Sequence, residues 1–128
     1  INSIGPAVLL QQLLPLLERK GALAVLSARV GSIADNRLGG WYAYRASKAA
    51  LNMLLKTAAI EQARRYPEAR LLSLHPGTVV SPLSQPFRGS AAARPALQAA
   101  AELLAVVDNS KASDSGSFVA YDGASVPW

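Results

Sequence analysis

Cysteine is absent from the 128-residue sequence, so neither disulfides nor thiolate-bound metals hold this fold, and we expect no metal site. The net charge of +5 comes from thirteen basic residues that form no stripe interleaved with aromatic side chains, which argues against a nucleic-acid partner. No apolar run is as long as a membrane span, and the first residues lack the pattern of a cleavable leader. These absences lead us to expect a cytoplasmic protein that does not associate with membranes.

The apolar residues predict an alternation of helices and strands. A hydrophobic fraction of 51% with 16% charged residues is typical of one well-buried α/β domain. Helical spacing of apolar residues predicts helices over 1–17, 42–65 and 95–107, and Pro15 is expected to bend or end the first of them near its last turn. Short continuous apolar runs predict strands over 22–27, 70–75 and 117–121. This order predicts an α/β fold with a doubly wound parallel sheet of three strands and flanking helices.

A phenol and an ammonium group lie close together near the start of the second predicted helix. Tyr44 and Lys48 are four residues apart, which places both side chains on one helix face. A free phenol has a pKa of about 10, and a nearby positive charge lowers it toward the range that suits acid–base catalysis. We therefore expect Lys48 to lower the pKa of Tyr44. Two solvated neighbours without a shared role are the alternative.

The residues around this pair carry a family resemblance. Residues 39–52, Gly-Gly-Trp-Tyr-Ala-Tyr-Arg-Ala-Ser-Lys-Ala-Ala-Leu-Asn, resemble the catalytic helix of the short-chain dehydrogenase/reductase family, in its branch of sniffer-like carbonyl reductases and C-factor proteins. Residues 118–128 are similar to the end of proteins in that branch. The resemblance implies a Rossmann-type fold and hydride transfer between a nicotinamide cofactor and a small carbonyl or alcohol substrate. The cofactor is NADP or NAD, and the resemblance favours NADP.

The family's glycine-rich nucleotide loop has no counterpart in this sequence. We therefore interpret 1–128 as the C-terminal portion of one Rossmann-type domain whose N-terminal nucleotide-binding half is absent. A homodimer through the catalytic helix is a further expectation. Two alternatives stay open, namely a non-catalytic signalling or interaction protein of the same fold, and an inactive fragment.

The resemblance also implies roles for single side chains. Tyr44 would donate a proton to the carbonyl oxygen, and Lys48 would lower its pKa and hold the nicotinamide ribose. A serine would orient the carbonyl, but Ala28 occupies the usual position of that serine. Two hydroxyls remain nearby, and we favour Ser32 over Ser27 because Ser32 lies twelve residues before Tyr44, close to the family's spacing. Hydrogen bonding within the loop is the alternative for both serines.

Two further segments match the family. Asn2 falls where the family has an asparagine that supports a helix distortion and a water linked to the lysine, although a loop or N-cap role would also suit it. The segment that follows the second predicted strand resembles the family's Pro-Gly turn, which contacts the nicotinamide end of the cofactor. Its predicted cofactor-binding residues are Pro76, Gly77, Thr78, Val79 and Ser81, together with Tyr44 and Lys48. In the family the following region, 82–94, is a substrate lid, and His75 is expected to be structural.

Overall fold

The computed structural model describes residues 1–82, 84 and 93–128 of the chain. The helices are α1 (Ile4–Leu13), α2 (Tyr42–Arg65) and α3 (Ala96–Asn109), and the strands are β1 (Ala22–Leu26), β2 (Arg70–His75) and β3 (Ser117–Ala120). Within these described ranges, no helix is both long enough and apolar enough to cross a membrane. The predicted alternation of helices and strands is confirmed.

The three strands form one parallel sheet in the order β1-β2-β3. Ser73 of β2 lies opposite Val25 of β1 on one side and opposite Phe118 of β3 on the other. Parallel neighbours need crossover connections, and α2 and α3 supply them. The carboxyl ends of all three strands therefore lie along the same edge of the sheet.

Helices cover both faces of the sheet, as a doubly wound fold requires. One core cluster joins α1 and α2 to the face of β2 that carries Leu71, through Leu10, Leu55 and Ala59. A second cluster joins α3 to the opposite face through Leu72, Leu74 and Leu103. Adjacent residues of β2 thus point to opposite cores, which explains why its apolar residues are continuous rather than alternating.

The first helix is shorter than the apolar pattern over 1–17, and it ends close to Pro15, as predicted. Helix α1 ends at Leu13, and a 3-10 turn spans Leu14–Leu16 with Pro15 in its first positions. Proline cannot donate an intrahelical hydrogen bond and clashes with the preceding turn, so the α-helical pattern stops before it. At the other end, Asn2 lies in the turn before α1.

The two edges of the sheet differ. The backbone of the C-terminal residues runs antiparallel to β3, with a 2.8 Å hydrogen bond from the Val126 N–H to the Phe118 carbonyl oxygen. The Trp128 ring also stacks on Phe118 with 5.6 Å between ring centroids. At the opposite edge, no described strand pairs with the outer side of β1, and the Leu26 side chain is 59% exposed.

Candidate active site

The loop after β1 packs directly on the first turns of α2. It contains a 3-10 turn, Arg29–Gly31, followed by Ser32. A Cβ atom at Gly31 would lie 2.7 Å from the Lys48 Cβ, so only glycine permits this approach. Because of this contact, the loop with the candidate serines and the helix with Tyr44 and Lys48 meet beside the carboxyl end of β1.

Helix α2 begins from a left-handed backbone turn. Gly39 and Gly40 have φ angles of 65° and 70°, and Trp41 has φ 49° and ψ 40°. A non-glycine residue in this region is uncommon, so the start of the helix is held by its surroundings. The predicted start of this helix at Tyr42 is confirmed, and Tyr44 therefore lies in its first turn.

The structure confirms that Tyr44 and Lys48 share one helix, but the pKa of Tyr44 shifts in the direction opposite to the predicted one. Partial burial raises the pKa of Tyr44, and partial burial lowers the pKa of Lys48. The Lys48 Nζ donates a 3.0 Å hydrogen bond to the carbonyl oxygen of Leu26. The predicted lowering of the Tyr44 pKa by Lys48 is therefore wrong for this structure, because burial raises the pKa of the phenol while the ammonium group is bound to the strand end.

The two candidate serines are both buried and have different surroundings. The Ser32 Oγ accepts a 3.0 Å hydrogen bond from the Asp35 backbone N–H. The Ser27 Oγ has no hydrogen-bond partner among the described residues. No hydrogen bond within the described ranges joins either hydroxyl to Tyr44, so the choice between Ser32 and Ser27 stays a prediction.

The predicted Pro-Gly turn follows β2 and is held by an arginine that the sequence did not indicate. Gly77 has a φ angle of 68°, and a Cβ atom there would lie 2.9 Å from the Tyr121 ring. The Arg94 guanidinium donates to the Pro76 carbonyl oxygen and lies over the Tyr121 ring, 3.3 Å from its centroid. The Arg94 backbone N–H donates a 2.9 Å hydrogen bond to the Thr78 carbonyl oxygen.

The same turn is closed further along by backbone and hydroxyl contacts. The Val80 N–H donates to the Arg94 carbonyl oxygen at 2.9 Å, and Val79 pairs with Arg94 in an isolated bridge. The Ser81 N–H donates to the Ser84 Oγ at 3.1 Å. The five predicted cofactor residues of this turn thus belong to one ordered segment next to the end of β2. Their contact with a cofactor stays a prediction.

His75, at the end of β2, holds the neighbouring loop. Its Nδ1 accepts a hydrogen bond of 3.3 Å from the Arg29 backbone N–H. Burial, together with the charges of Arg29 and Arg94, lowers the pKa of His75 from 6.5 to about 4. A neutral imidazole at physiological pH can keep its acceptor nitrogen, which agrees with the structural role expected for this residue.

Other predicted features make no described hydrogen bond to this site or lie outside the described residues. The Asn2 side chain is exposed and makes no hydrogen bond within the described chain, so its proposed link to the lysine stays a prediction. The predicted lid over 82–94 includes residues 83 and 85–92, which lie outside the described residues. Among the described residues, no group of three His, Asp or Glu side chains could hold a metal ion.

A parallel sheet covered on both faces, with a Pro-Gly turn at the end of its central strand, places the chain in the class of Rossmann-type α/β proteins. The family model described as enoyl-(acyl carrier protein) reductase matches residues 1–126. The chain belongs to the short-chain dehydrogenase/reductase family.

Two curated relatives match along the whole chain. The 1-hydroxy-2-glutathionyl-2-methyl-3-butene dehydrogenase of Rhodococcus sp. (strain AD45) is 36% identical over 128 residues, covering 100% of this chain and 56% of the relative. The C-signal protein of Myxococcus xanthus is 39% identical over 132 residues, covering 100% of this chain and 75% of the relative.

Two solved structures share the fold. The carbonyl reductase Sniffer of D. melanogaster has a TM-score of 0.86 at 29% identity, covering 99% of this chain and 54% of that one. An NADPH-bound carbonyl reductase from chicken fatty liver has a TM-score of 0.83 at 30% identity, again covering 99% and 54%. The chain thus spans about half the length of these structures.

Proposed function

We propose that residues 1–128 form the catalytic, C-terminal portion of an NADP-dependent carbonyl reductase or alcohol dehydrogenase acting on a small molecule. The observation that carries this proposal is the position of Tyr44 and Lys48, on the first turns of α2 and beside the carboxyl end of β1. Ligands of open α/β sheets bind beyond the carboxyl ends of the strands. The family and the NADPH-bound neighbour support the same reaction class and favour NADP over NAD.

The side chains at this edge fit a nicotinamide riboside. Lys48 uses one N–H donor on the Leu26 carbonyl oxygen, and an ammonium group has three donors, so two can bind ribose hydroxyls. The Tyr44 hydroxyl has no partner within the described residues and is accessible, since 40% of the residue is exposed. The Pro76–Ser81 segment would contact the nicotinamide end. When bound, the cofactor supplies or accepts the hydride.

The protein's own contribution to the reaction is to hold and transfer a proton. In the reductive direction the carbonyl carbon gains the hydride while the Tyr44 hydroxyl gives its proton to the carbonyl oxygen, forming the alcohol. The raised pKa keeps Tyr44 protonated at neutral pH, which is the form a proton donor needs. Ser32, with Ser27 as the alternative, would hydrogen-bond the carbonyl oxygen, and this orients the substrate toward the phenol.

The rest of the cofactor requires residues outside this chain. A Rossmann site binds the pyrophosphate at a helix N-terminus behind a glycine-rich turn after the first strand. We propose that a preceding half of a longer protein supplies that turn and pairs with the outer edge of β1. The homodimer through α2 likewise stays a prediction. No observation in the described chain favours a signalling protein or an inert fragment over the reductase.

The test uses the longer protein that contains this chain and follows NADPH oxidation with a panel of small aldehydes and ketones. Tyr44→Phe should lower kcat by about a hundredfold or more, because only the proton donor is removed, and should leave the Kd for NADPH nearly unchanged. Tyr42→Phe is the matched control, since Tyr42 lies on the same helix turn and is 87% exposed. Near-normal turnover by Tyr44→Phe would remove Tyr44 from this role.

A further inference from the structure

One arginine side chain bridges the two ends of the loop between β1 and α2. The Arg45 Nη1 donates a 3.2 Å hydrogen bond to the Val30 carbonyl oxygen, at the beginning of that loop. The Nη2 donates a 3.0 Å bond to the Gly39 carbonyl oxygen, and the Nε donates a 3.0 Å bond to the Gly40 carbonyl oxygen, both at the end of the loop. A single guanidinium group thus binds three backbone carbonyls from two segments nine or more residues apart.

The acceptors at the end of the loop result from its unusual backbone. Gly39, Gly40 and Trp41 are three successive residues with positive φ angles. A left-handed backbone costs free energy for the non-glycine residue Trp41, so it persists only where the surroundings stabilise it. Arg45 contributes to that stabilisation through charge-assisted hydrogen bonds to the Gly39 and Gly40 carbonyls, which are stronger than neutral ones.

The bridged loop carries one proposed catalytic group and adjoins another. Ser32 lies two residues after Val30, and Tyr44 immediately precedes Arg45. Within the loop, the Asp35 N–H donates to the Ser32 Oγ, and the Gly39 N–H donates to the Asn36 Oδ1 at 3.0 Å. The loop therefore has its own internal bonds, and Arg45 connects it to the helix that presents Tyr44.

We infer that Arg45 is a positioning residue that fixes the loop 30–40 on α2 and thereby sets the geometry between Ser32 and Tyr44. Lysine cannot replace it, because one ammonium group lacks the planar fork that binds carbonyls of both segments at once. The structural part of this inference stands on the hydrogen bonds alone. Its catalytic consequence rests on the proposed reductase function.

The structural part is tested by hydrogen–deuterium exchange of the longer protein, read in peptides that cover 31–40. Arg45→Ala and the milder Arg45→Lys should each speed exchange of these loop amides about tenfold or more. Without the guanidinium hydrogen bonds, the loop opens at a lower free-energy cost. Arg70→Ala is the matched control. Its guanidinium donates to the Ser110 carbonyl oxygen at 2.9 Å and to the Lys20 carbonyl oxygen at 3.4 Å, remote from the loop.

Unchanged loop exchange in both Arg45 variants would overturn the inference, as would an equal increase in Arg70→Ala.

The catalytic part of the inference is tested by steady-state kinetics. Arg45→Lys should lower kcat for carbonyl reduction about tenfold or more while the KM for NADPH changes less than about threefold, because the proton-transfer geometry is disturbed and cofactor contacts are not. Added methylguanidine should partly restore kcat in Arg45→Ala and not in Tyr44→Phe.

A loss in kcat and cofactor affinity together, without rescue by methylguanidine, would mean that Arg45 acts only on overall folding and would overturn its positioning role.

The proposed function and the inference about Arg45 fail in different ways. A wild-type protein that reduces no carbonyl compound would overturn the proposed function, whereas the exchange experiment would still decide whether Arg45 fixes the loop.

Discussion

The Lys48 ammonium group donates a 3.0 Å hydrogen bond to the Leu26 carbonyl oxygen, which joins α2 to the last residue of β1. A charged donor satisfies this strand-end acceptor more strongly than a neutral one would. The contact also fixes the direction of the lysine side chain before any cofactor binds. Lys48 therefore has a structural role in addition to the cofactor contact proposed for it.

Lys48→Ala in the longer protein should weaken NADPH binding and lower kcat, each about tenfold or more, because both the ribose donors and the bond to β1 are lost. Lys56→Ala is a matched control on the same helix. The Lys56 Nζ donates a 3.1 Å hydrogen bond to the Gly116 carbonyl oxygen, far from the proposed site. Equal effects of the two substitutions on the Kd for NADPH, measured by calorimetric titration, would contradict a cofactor role for Lys48.

The serine question can be answered with two alanine variants. Ser32→Ala should lower kcat about a hundredfold, as the loss of one hydrogen bond to a developing oxyanion does elsewhere, and Ser27→Ala should change kcat little. Stability gives a second readout from urea unfolding. Ser32→Ala loses the acceptor for the Asp35 N–H, worth about 1 kcal/mol, whereas Ser27→Ala removes a buried hydroxyl without a described partner. A larger kcat loss in Ser27→Ala would reverse the assignment.

His75 should make the free energy of unfolding decrease as the pH falls through the acid range, which we call the acid limb of the stability profile. Its pKa falls from 6.5 to about 4 on folding, so the unfolded chain binds more protons between these values. The free energy of unfolding is therefore not reduced by His75 above its pKa in the unfolded chain. As the pH falls toward its pKa in the folded protein, the free energy of unfolding decreases by on the order of 1–2 kcal/mol, after allowing for solvent screening. His75→Asn keeps a hydrogen-bond acceptor but does not titrate. Urea unfolding at several pH values should therefore show a shallower acid limb in the variant, and identical limbs would refute the role of His75.

The chain 1–128 alone should bind a dinucleotide weakly. It carries the residues proposed for the nicotinamide end, whereas a glycine-rich phosphate loop is absent from its sequence. Phosphate contacts are charge-assisted and among the strongest in such sites, so their loss should remove most of the affinity. Calorimetric titration of the 13.4 kDa chain with NADPH and NADH provides the measurement. Micromolar affinity for either would show that the site is not divided between two halves of a longer protein.

Elements that depend on local sequence pattern could be predicted well. The predicted bounds of α2 and β2 agree with Tyr42–Arg65 and Arg70–His75, because a proline follows the helix and a Pro-Gly turn follows the strand. In helix α1 the apolar spacing continues past Pro15, but the regular α-helix ends at Leu13, and the predicted bend or end at Pro15 is confirmed.

The polar contacts of the site could not be predicted in the same way. Arg45 and Arg94 bind backbone carbonyls, and any residue can offer a carbonyl, so no residue pattern marks such an acceptor. The direction of the Lys48 side chain was missed for the same reason, because its acceptor is the backbone of Leu26. Spacing placed Lys48 on the same face as Tyr44 but did not indicate which group it would bind.

Because the two edges of the sheet differ, a further strand can be added at one edge only. The C-terminal backbone already occupies the hydrogen-bonding groups of β3, with Ala120 N–H donating to the Ala124 carbonyl oxygen at 2.8 Å. Any strand that joins this sheet must therefore add beside β1, where Leu26 exposes an apolar surface. An edge that no described strand covers pairs readily with other chains, so residues 1–128 on their own should self-associate through β1 and not through β3.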